Sequence, residues 1–328
     1  MTYEKRVLMN RIFVTGGSGF IGTNLIAKLN VDGIEALNYD IKPSQRRGVG
    51  HYVRGDILDL ESLRAAVKKF KPDAFVHLAA RCDLAGKTLD DYPANTRGVE
   101  NIISAVRASD TIGRVIFASS RYVHSNERQP QQEDEYSPFT MYGKSKVEGE
   151  KIVRSSGLEI PWLIVRPTSI WGPWFDIPYK GFFRAVRRGL YIHPAGEKIY
   201  KSYGYVGNVV HQLRRFLTAP THLVHGRVFY QADYEPIEVR EMAETIRQFF
   251  DAPPVREVPL SVMKPLAWMG DGLRKAGWYN PPLTSFRLSN LRCQMVYDLS
   301  RTSQVVGTLP FSLEAGVERT VEWMKTSN

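Results

Sequence analysis

The chain has 328 residues, 43% hydrophobic and 24% charged, which is ordinary for a globular protein and enough for a large core. Its 44 basic and 34 acidic side chains leave a formal charge of +10, but the basic residues are dispersed, with short clusters only at Arg46-Arg47, Lys68-Lys69, Arg187-Arg188 and Arg214-Arg215. No long basic run and no zinc-finger spacing occurs, so a solvated basic surface is expected and not a nucleic-acid binder.

Two cysteines, Cys82 and Cys293, make no disulfide framework and point to a reducing, cytoplasmic compartment. Met1 to Asn10 lacks the apolar core of a signal peptide, and no apolar run reaches the roughly 18 residues of a membrane helix, so no integral membrane segment is expected. The seven histidines show no metal-ligand spacing, and no metal is expected.

In chain order, Ile12-Phe13-Val14 reads as a buried strand ending in a glycine turn, followed by a helix with Leu25, Ile26 and Leu29 on one face. Ala36 to Tyr39 is a second strand. Leu63, Ala66, Val67 and Phe70 mark a helix, Ala74 to Leu78 a strand, and Val99, Ile102, Ile103 and Val106 another helix. Val115 to Ala118 and Trp162 to Val165 are strands. Short apolar strands alternating with amphipathic helices predict a doubly wound parallel sheet, a Rossmann-type α/β fold that binds ligands at the carboxyl ends of its strands. Beyond about residue 170 the pattern loosens. Trp171 to Trp174 reads as a loop, and Val206, Val209, Val210, Leu213 and Leu217 as one more helix stripe. The expected division is a dinucleotide-binding domain over 1–170, to which 199–217 returns, and a smaller mixed substrate-binding part over 171–328.

Gly16, Gly19 and Gly22 stand between a strand and a helix, with Phe20 and Ile21 opening that helix. Glycine permits the positive backbone angles of a tight turn, and the helix N-terminus presents unpaired N–H groups to a pyrophosphate. Asp40, 18 residues beyond Gly22, can accept hydrogen bonds from a ribose 2′-hydroxyl and would repel a 2′-phosphate. That favours NAD over NADP, although Arg46 and Arg47 close behind weaken the preference. Asp56 reads either as a partner of the adenine amino group or as a helix N-terminal carboxylate.

Tyr142 and Lys146 are four residues apart and so share one helix face. A phenol of ordinary pKa about 10 is a poor base at neutral pH, and a neighbouring ammonium favours its phenolate. Tyr142 would then take a proton from a substrate hydroxyl while hydride leaves the same carbon. Ser120, at the end of the strand Val115 to Ala118, can hydrogen-bond the same oxygen.

These motifs resemble the extended short-chain dehydrogenase/reductases, the nucleotide-sugar epimerase/dehydratase family. The resemblance is carried by Thr15 to Gly22, Gly55-Asp56, His77 to Ala80, Asn95, Ser119-Ser120, Tyr142 to Lys146, and Arg166-Pro167 followed by Trp171-Gly172-Pro173. It implies Ser120, Tyr142 and Lys146 as a catalytic trio. It implies a cofactor held by Gly16, Gly19, Phe20, Ile21, Gly22, Asp40, Asp56, Ile57, Leu78, Ala79, Ala80, Asn95 and Pro167 besides Tyr142 and Lys146. It also implies a nucleoside-diphosphate sugar as partner, a homodimer through the faces around Val99 to Val106 and Lys146 to Val153, and substrate contacts at Arg81, Ser120, Arg121, Ser169 and Lys201. Lys201 stands where many members carry an arginine, a point charge in place of a fork.

Arg121 and Tyr122 stand where sugar dehydratases of the family carry an acidic pair, which disfavours dehydration, and His124-Ser125 replaces the usual Tyr-Gly. A 4-epimerase or a 4-keto-sugar reductase is therefore expected. A hydroxysteroid-type dehydrogenase and a cofactor-sensing regulator without turnover are the alternatives. Cys82, just after Ala79-Ala80, reads either as a thiol facing the active site or, by preference, as a buried small hydrophobe. Leu260 to Trp278, with Leu266, Trp268, Met269 and Leu273, reads as a lid helix or an amphipathic surface helix.

Overall fold

The computed structural model describes residues 9–46, 48–125, 132–176, 178–278, 281 and 283–327. Arg47 of the basic cluster lies outside them. Contacts divide the chain into two compact units: the described parts of Met1–Trp174, Gly204–Tyr234 and Tyr297–Phe311, and those of Phe175–Tyr203, Glu235–Val296 and Ser312–Asn328.

The first unit is built on seven parallel strands. They are β1 (Arg11–Thr15), β2 (Glu35–Asp40), β3 (His51–Arg54), β4 (Ala74–His77), β5 (Arg114–Ala118), β6 (Trp162–Pro167) and the strand Arg227–Gln231. Their spatial order is Arg227–Gln231, β6, β5, β4, β1, β2, β3. β1 is flanked by β2 and β4 in parallel register, Val14 facing Asn38 on one side and Val76 on the other. The chain therefore leaves β1 in one direction and returns on its other side, which opens a crevice at the carboxyl ends of β1 and β4.

Between strands run α1 (Phe20–Val31), α2 (Leu60–Phe70), α3 (Arg97–Arg107) and α4 (Met141–Ser155). Phe13, Tyr39, Phe70 and Phe75 form the aromatic heart of the core under α2 and α3, Phe13 stacking on Phe75 with centroids 4.9 Å apart. Burying each such ring contributes about 2–3 kcal/mol. Val99, Ile102, Ile103 and Val106 on α3 are buried in this same core. The helix Val206–Thr218 returns to the unit with Val206, Val209, Val210, Leu213 and Leu217 all buried.

Three details depart from the sequence reading. β3 is a short edge strand with every residue exposed, so no apolar run marked it. The opposite edge, Arg227–Gln231, also went unmarked. Trp171 belongs to the short strand Ser169–Trp171 and is fully buried, not part of a loop.

In the second unit, the helix Val239–Phe250 packs on Tyr179–Arg187 and Leu313–Thr326. Ile192–Pro194 pairs in parallel with Arg256–Val258, and Tyr200–Lys201 antiparallel with Ile237–Glu238. Leu260–Lys275 packs on Ser285–Arg292.

Candidate active site

The turn after β1 is shaped by close approach. Gly16 has φ +71°, and a Cβ there would stand 2.5 Å from the main-chain nitrogen of Ala79. A Cβ on Gly22 would stand 2.3 Å from the Gly16 carbonyl oxygen. The turns following β1 and β4 are thus in backbone contact, and only glycine fits. The Gly19 N–H donates to the Gly16 carbonyl at 3.0 Å, which closes the turn.

Helix ends distinguish this turn from its neighbours. α2 is capped by Asp59, whose carboxylate accepts from the Ser62 N–H at 3.1 Å, and α4 by Thr140, whose hydroxyl accepts from the Gly143 N–H at 2.9 Å. α1 starts at Gly19 with no side-chain cap. Its first turn runs through half-buried Phe20 and Ile21 to buried Gly22, and the positive end of the helix there can face an anion. These residues fit a dinucleotide pyrophosphate.

At the end of β2, the Asp40 carboxylate accepts from the Ser18 N–H at 3.0 Å and the Lys42 N–H at 2.9 Å. This fastens the acid beside the glycine turn. The Ser18 carbonyl in turn accepts from Gln45 at 2.7 Å. Asp56 accepts from the Leu58 N–H at 2.9 Å, and Ile57 is buried against α3, where a Cβ on Gly98 would meet it at 2.6 Å.

After β4, half-buried Leu78, Ala79 and Ala80 lead to a loop pinned by Asn95. The Arg81 N–H donates to Asn95 Oδ1 at 2.9 Å, and Asn95 Nδ2 donates to the Arg81 carbonyl and to Ser145 Oγ, each at 2.9 Å. The Arg81 guanidinium turns to Asp83, donating from Nε at 2.7 Å and Nη2 at 3.1 Å, and from Nη1 to the Asp91 carbonyl at 2.6 Å. The charge expected to meet substrate is already paired within its own loop. Below it, His77 is buried and shares a 2.8 Å hydrogen bond between Nδ1 and Thr15 Oγ1. Burial, then the Lys146 charge, lowers its pKa to about 3, so it is neutral at physiological pH.

Ser120, Tyr142 and Lys146 come together at the end of β5 on the buried face of α4. Ser120 caps a short turn by accepting the Tyr122 N–H at 3.2 Å, and its side chain also hydrogen-bonds Tyr142. Lys146 Nζ donates to the Ala118 carbonyl at 2.9 Å. Burial raises the Tyr142 hydroxyl well above its usual pKa, Cys82 adds to that rise, and the Ser120 hydrogen bond opposes it. Burial lowers Lys146. Cys82 is exposed and its thiol lies beside Tyr142, which corrects the reading of a buried hydrophobe. Tyr122 presents its ring edge to Tyr142 at 5.7 Å and stacks on Phe139 at 5.4 Å. Buried Arg121 lies over the Tyr122 ring at 4.3 Å.

Behind the trio lies a charge cluster that sequence reasoning missed. On α4, Glu150 accepts from Arg166 Nε at 2.8 Å and Nη2 at 2.6 Å, both side chains being almost wholly buried. Tyr136 donates to Glu150 at 2.9 Å, and His124 Nε2 contacts Arg166 Nη1 at 2.9 Å. His124, which stands in place of the family tyrosine, therefore belongs to this cluster. Burial, then Arg166, lowers its pKa to about 4. The signal available in sequence was the spacing Lys146 to Glu150 on one helix face.

Among the remaining expectations, Pro167 ends β6 opposite Gln231, and Ser169 is buried in the strand that follows. Lys201 is buried in the second unit, where Nζ donates to the Asn290 carbonyl at 2.8 Å. Among the described residues no group of three or more His, Cys, Asp or Glu side chains could hold a metal.

The chain is similar over 96% of its length, at 25% identity, to N-acetyl-alpha-D-glucosaminyl-diphospho-ditrans,octacis-undecaprenol 4-epimerase of Escherichia coli O157:H7, covering 95% of that protein. It is 30% identical, over 74% of its length and 70% of the relative's, to a 3-beta-hydroxysteroid dehydrogenase of Mycolicibacterium neoaurum. Its fold matches a UDP-glucose 4-epimerase solved with UDP-glucose from Thermotoga maritima (TM-score 0.73, 19% identity, 97% of this chain and 99% of that one). It also matches a Thermus thermophilus UDP-glucose 4-epimerase solved with NAD (TM-score 0.71, 20% identity, 97% and 100%). Residues 12–230 match the profile of the NAD dependent epimerase/dehydratase family. The chain belongs to that family and is an NAD-dependent enzyme of the oxidoreductase type.

Proposed function

We propose that this chain is a 4-epimerase of a diphosphate-linked sugar, with a nucleoside-diphosphate sugar as the expected substrate and Ser120, Tyr142 and Lys146 as the catalytic trio. The supporting observation is the meeting of these three side chains at the end of β5, with Arg121 and Tyr122 where dehydration would need an acid and a base. The full-length likeness to a sugar-diphosphate 4-epimerase supports the substrate class.

Gly16, Gly19 and Gly22 would hold the cofactor pyrophosphate, and Asp40 the adenosine ribose. NAD supplies a hydride acceptor for one sugar carbon and later a donor to the opposite face of that carbon. Tyr142 takes the hydroxyl proton at Oη and returns it once the sugar has turned. Ser120 hydrogen-bonds the same oxygen and holds it against Tyr142. Burial raises the phenol in this site, so the reading needs positive charge beside the phenolate, which the Lys146 ammonium and the nicotinamide ring would supply. A reductase would use the same groups for the returning half alone.

The test is incubation of purified protein with UDP-, GDP-, CDP- and dTDP-sugars and a polyprenyl-diphosphate sugar, read by NMR for inversion at C4. Tyr142→Phe should lower turnover by about 10²- to 10⁴-fold at saturating NAD. The hydroxysteroid-dehydrogenase relative favours a second reading. Oxidation of a 3β-hydroxysteroid with unchanged sugars would establish that reading and overturn the first.

A further inference from the structure

Two phenol rings meet the Tyr142 ring, and their hydroxyls have different fates. Tyr92 stands with its centroid 6.4 Å away and is fully buried. Its hydroxyl donates to the Asp83 carbonyl at 2.8 Å and accepts from the Gly86 N–H at 3.2 Å, so it is committed to the loop after β4. Tyr122 stands with its centroid 5.7 Å away, its ring edge-on to Tyr142. It is half-buried, and among the described residues its hydroxyl has no hydrogen-bond partner.

The Tyr122 ring is held in place without that hydroxyl. Gly143, in the first turn of α4, has no side chain, and a Cβ there would stand 2.2 Å from the Tyr122 carbonyl oxygen. The short turn Arg121–Val123 therefore lies directly on the helix that bears Tyr142. The Ser120 hydroxyl accepts the Tyr122 N–H at 3.2 Å, which fixes the turn at its start. Phe139 stacks on the ring at 5.4 Å, and the Arg121 guanidinium lies over it at 4.3 Å. Contacts of this kind order a ring through its faces and leave its polar tip to a partner. After burial and Cys82, Tyr122 is a further group that raises the Tyr142 hydroxyl, so the two hydroxyls lie within electrostatic reach of each other.

A free phenol hydroxyl beside the proton-transferring one suits a substrate with a second hydroxyl beside the one that reacts. In a pyranose oxidised at C4, the flanking oxygens are the hydroxyl on C3 and the hydroxyl of the C6 arm. A bound sugar would pair the Tyr122 hydroxyl. A compound with an isolated reacting hydroxyl, such as a 3β-hydroxysteroid, would strip water from it and leave it unpaired. We propose that Tyr122 is a specificity-determining residue of this site, its hydroxyl hydrogen-bonding a substrate hydroxyl that flanks the one Tyr142 deprotonates. This rests on the 4-epimerase reading and adds to it the residue that tells a polyol from an isolated alcohol.

The test compares wild type with Tyr122→Phe, which keeps the ring and its stacking and removes the hydroxyl alone. Both are assayed on the diphosphate sugar that wild type inverts at C4, and on the 3-deoxy and 6-deoxy analogues of that sugar. On the parent sugar the variant should lose about five- to tenfold in kcat/KM. The loss should fall on KM, with kcat within about twofold of wild type. On one of the two analogues wild type and variant should agree within about twofold, because the hydroxyl that Tyr122 holds is absent from it. NAD affinity and urea midpoint should be the same in both proteins. Equal kcat/KM on the parent sugar would overturn the inference and leave the epimerase reading in place. So would a loss of one size on the parent and on both analogues. Wild type that inverts no sugar of the panel would instead remove the epimerase reading, and the inference with it.

Discussion

Asn95 and Arg81 hold each other by a reciprocal pair of 2.9 Å hydrogen bonds, amide side chain to main chain, and a third bond carries the linkage to Ser145 on α4. The loop after β4 and the helix bearing Tyr142 are therefore fastened through one buried amide. Asn95→Ala strands the Arg81 N–H and carbonyl and removes the donor to Ser145 Oγ, which keeps its own bond to the Tyr142 carbonyl. The expected cost is about 2–4 kcal/mol of stability, read by urea denaturation, with turnover reduced roughly tenfold or more as the loop drifts. Asn95→Asp should do no better, because a carboxylate cannot donate to the Arg81 carbonyl.

Asp40 is expected to set the cofactor preference. Asp40→Asn keeps an acceptor for the Ser18 N–H and removes the charge that would repel a 2′-phosphate. Calorimetric titration with NAD and NADP should show the preference for NAD falling by about tenfold, or about 1.4 kcal/mol.

The buried Glu150–Arg166 pair predicts a non-additive cycle. Glu150→Gln or Arg166→Met alone leaves a partner charge in the core and should cost about 3–5 kcal/mol. The double variant should be less destabilised than the sum, since neither charge is then stranded. Urea midpoints of the four proteins measure this coupling directly.

Histidine burial predicts acid sensitivity. His77 has a folded pKa of about 3, below its unfolded value of about 6.5. The unfolded chain therefore takes up the proton first. The stability is complete above about pH 6.5 and is lost as pH falls towards 3. Between pH 7 and pH 5 the loss is about 2 kcal/mol for this residue. Asp233 works in the opposite sense, because burial raises its pKa to about 7 and lowering the pH relieves the buried charge. The clean measurement is therefore the difference in pH slope between wild type and His77→Gln, which should be shallower in the variant.

Much of the first unit was legible because parallel strands covered on both faces read as unbroken apolar runs, as in Phe75-Val76 or Val115-Ile116-Phe117. β3 was not, because an edge strand whose side chains all face solvent leaves no such run. That Tyr142 and Lys146 share the buried face of α4 was legible because they lie one helical turn apart. The fates of Arg81 and Lys201 were not, because a cation's partner is chosen by the folded loop around it: Asp83 and Asp91 for one, the Asn290 carbonyl for the other. Glu150 was not singled out in the sequence, because its partner Arg166 stands on β6 and only the fold brings the two together.

The bare start of α1 has a consequence for the lifetime of the protein. α2 and α4 carry side-chain caps, Asp59 and Thr140, whereas α1 has none, and the pyrophosphate that the turn is proposed to hold would act there in its place. The coenzyme then serves as a detachable part of the fold as well as a reagent. At a hundredfold excess over its dissociation constant it would add about 2.7 kcal/mol to stability. A cell short of NAD would lose molecules of this enzyme to proteolysis as well as turnover from those that remain.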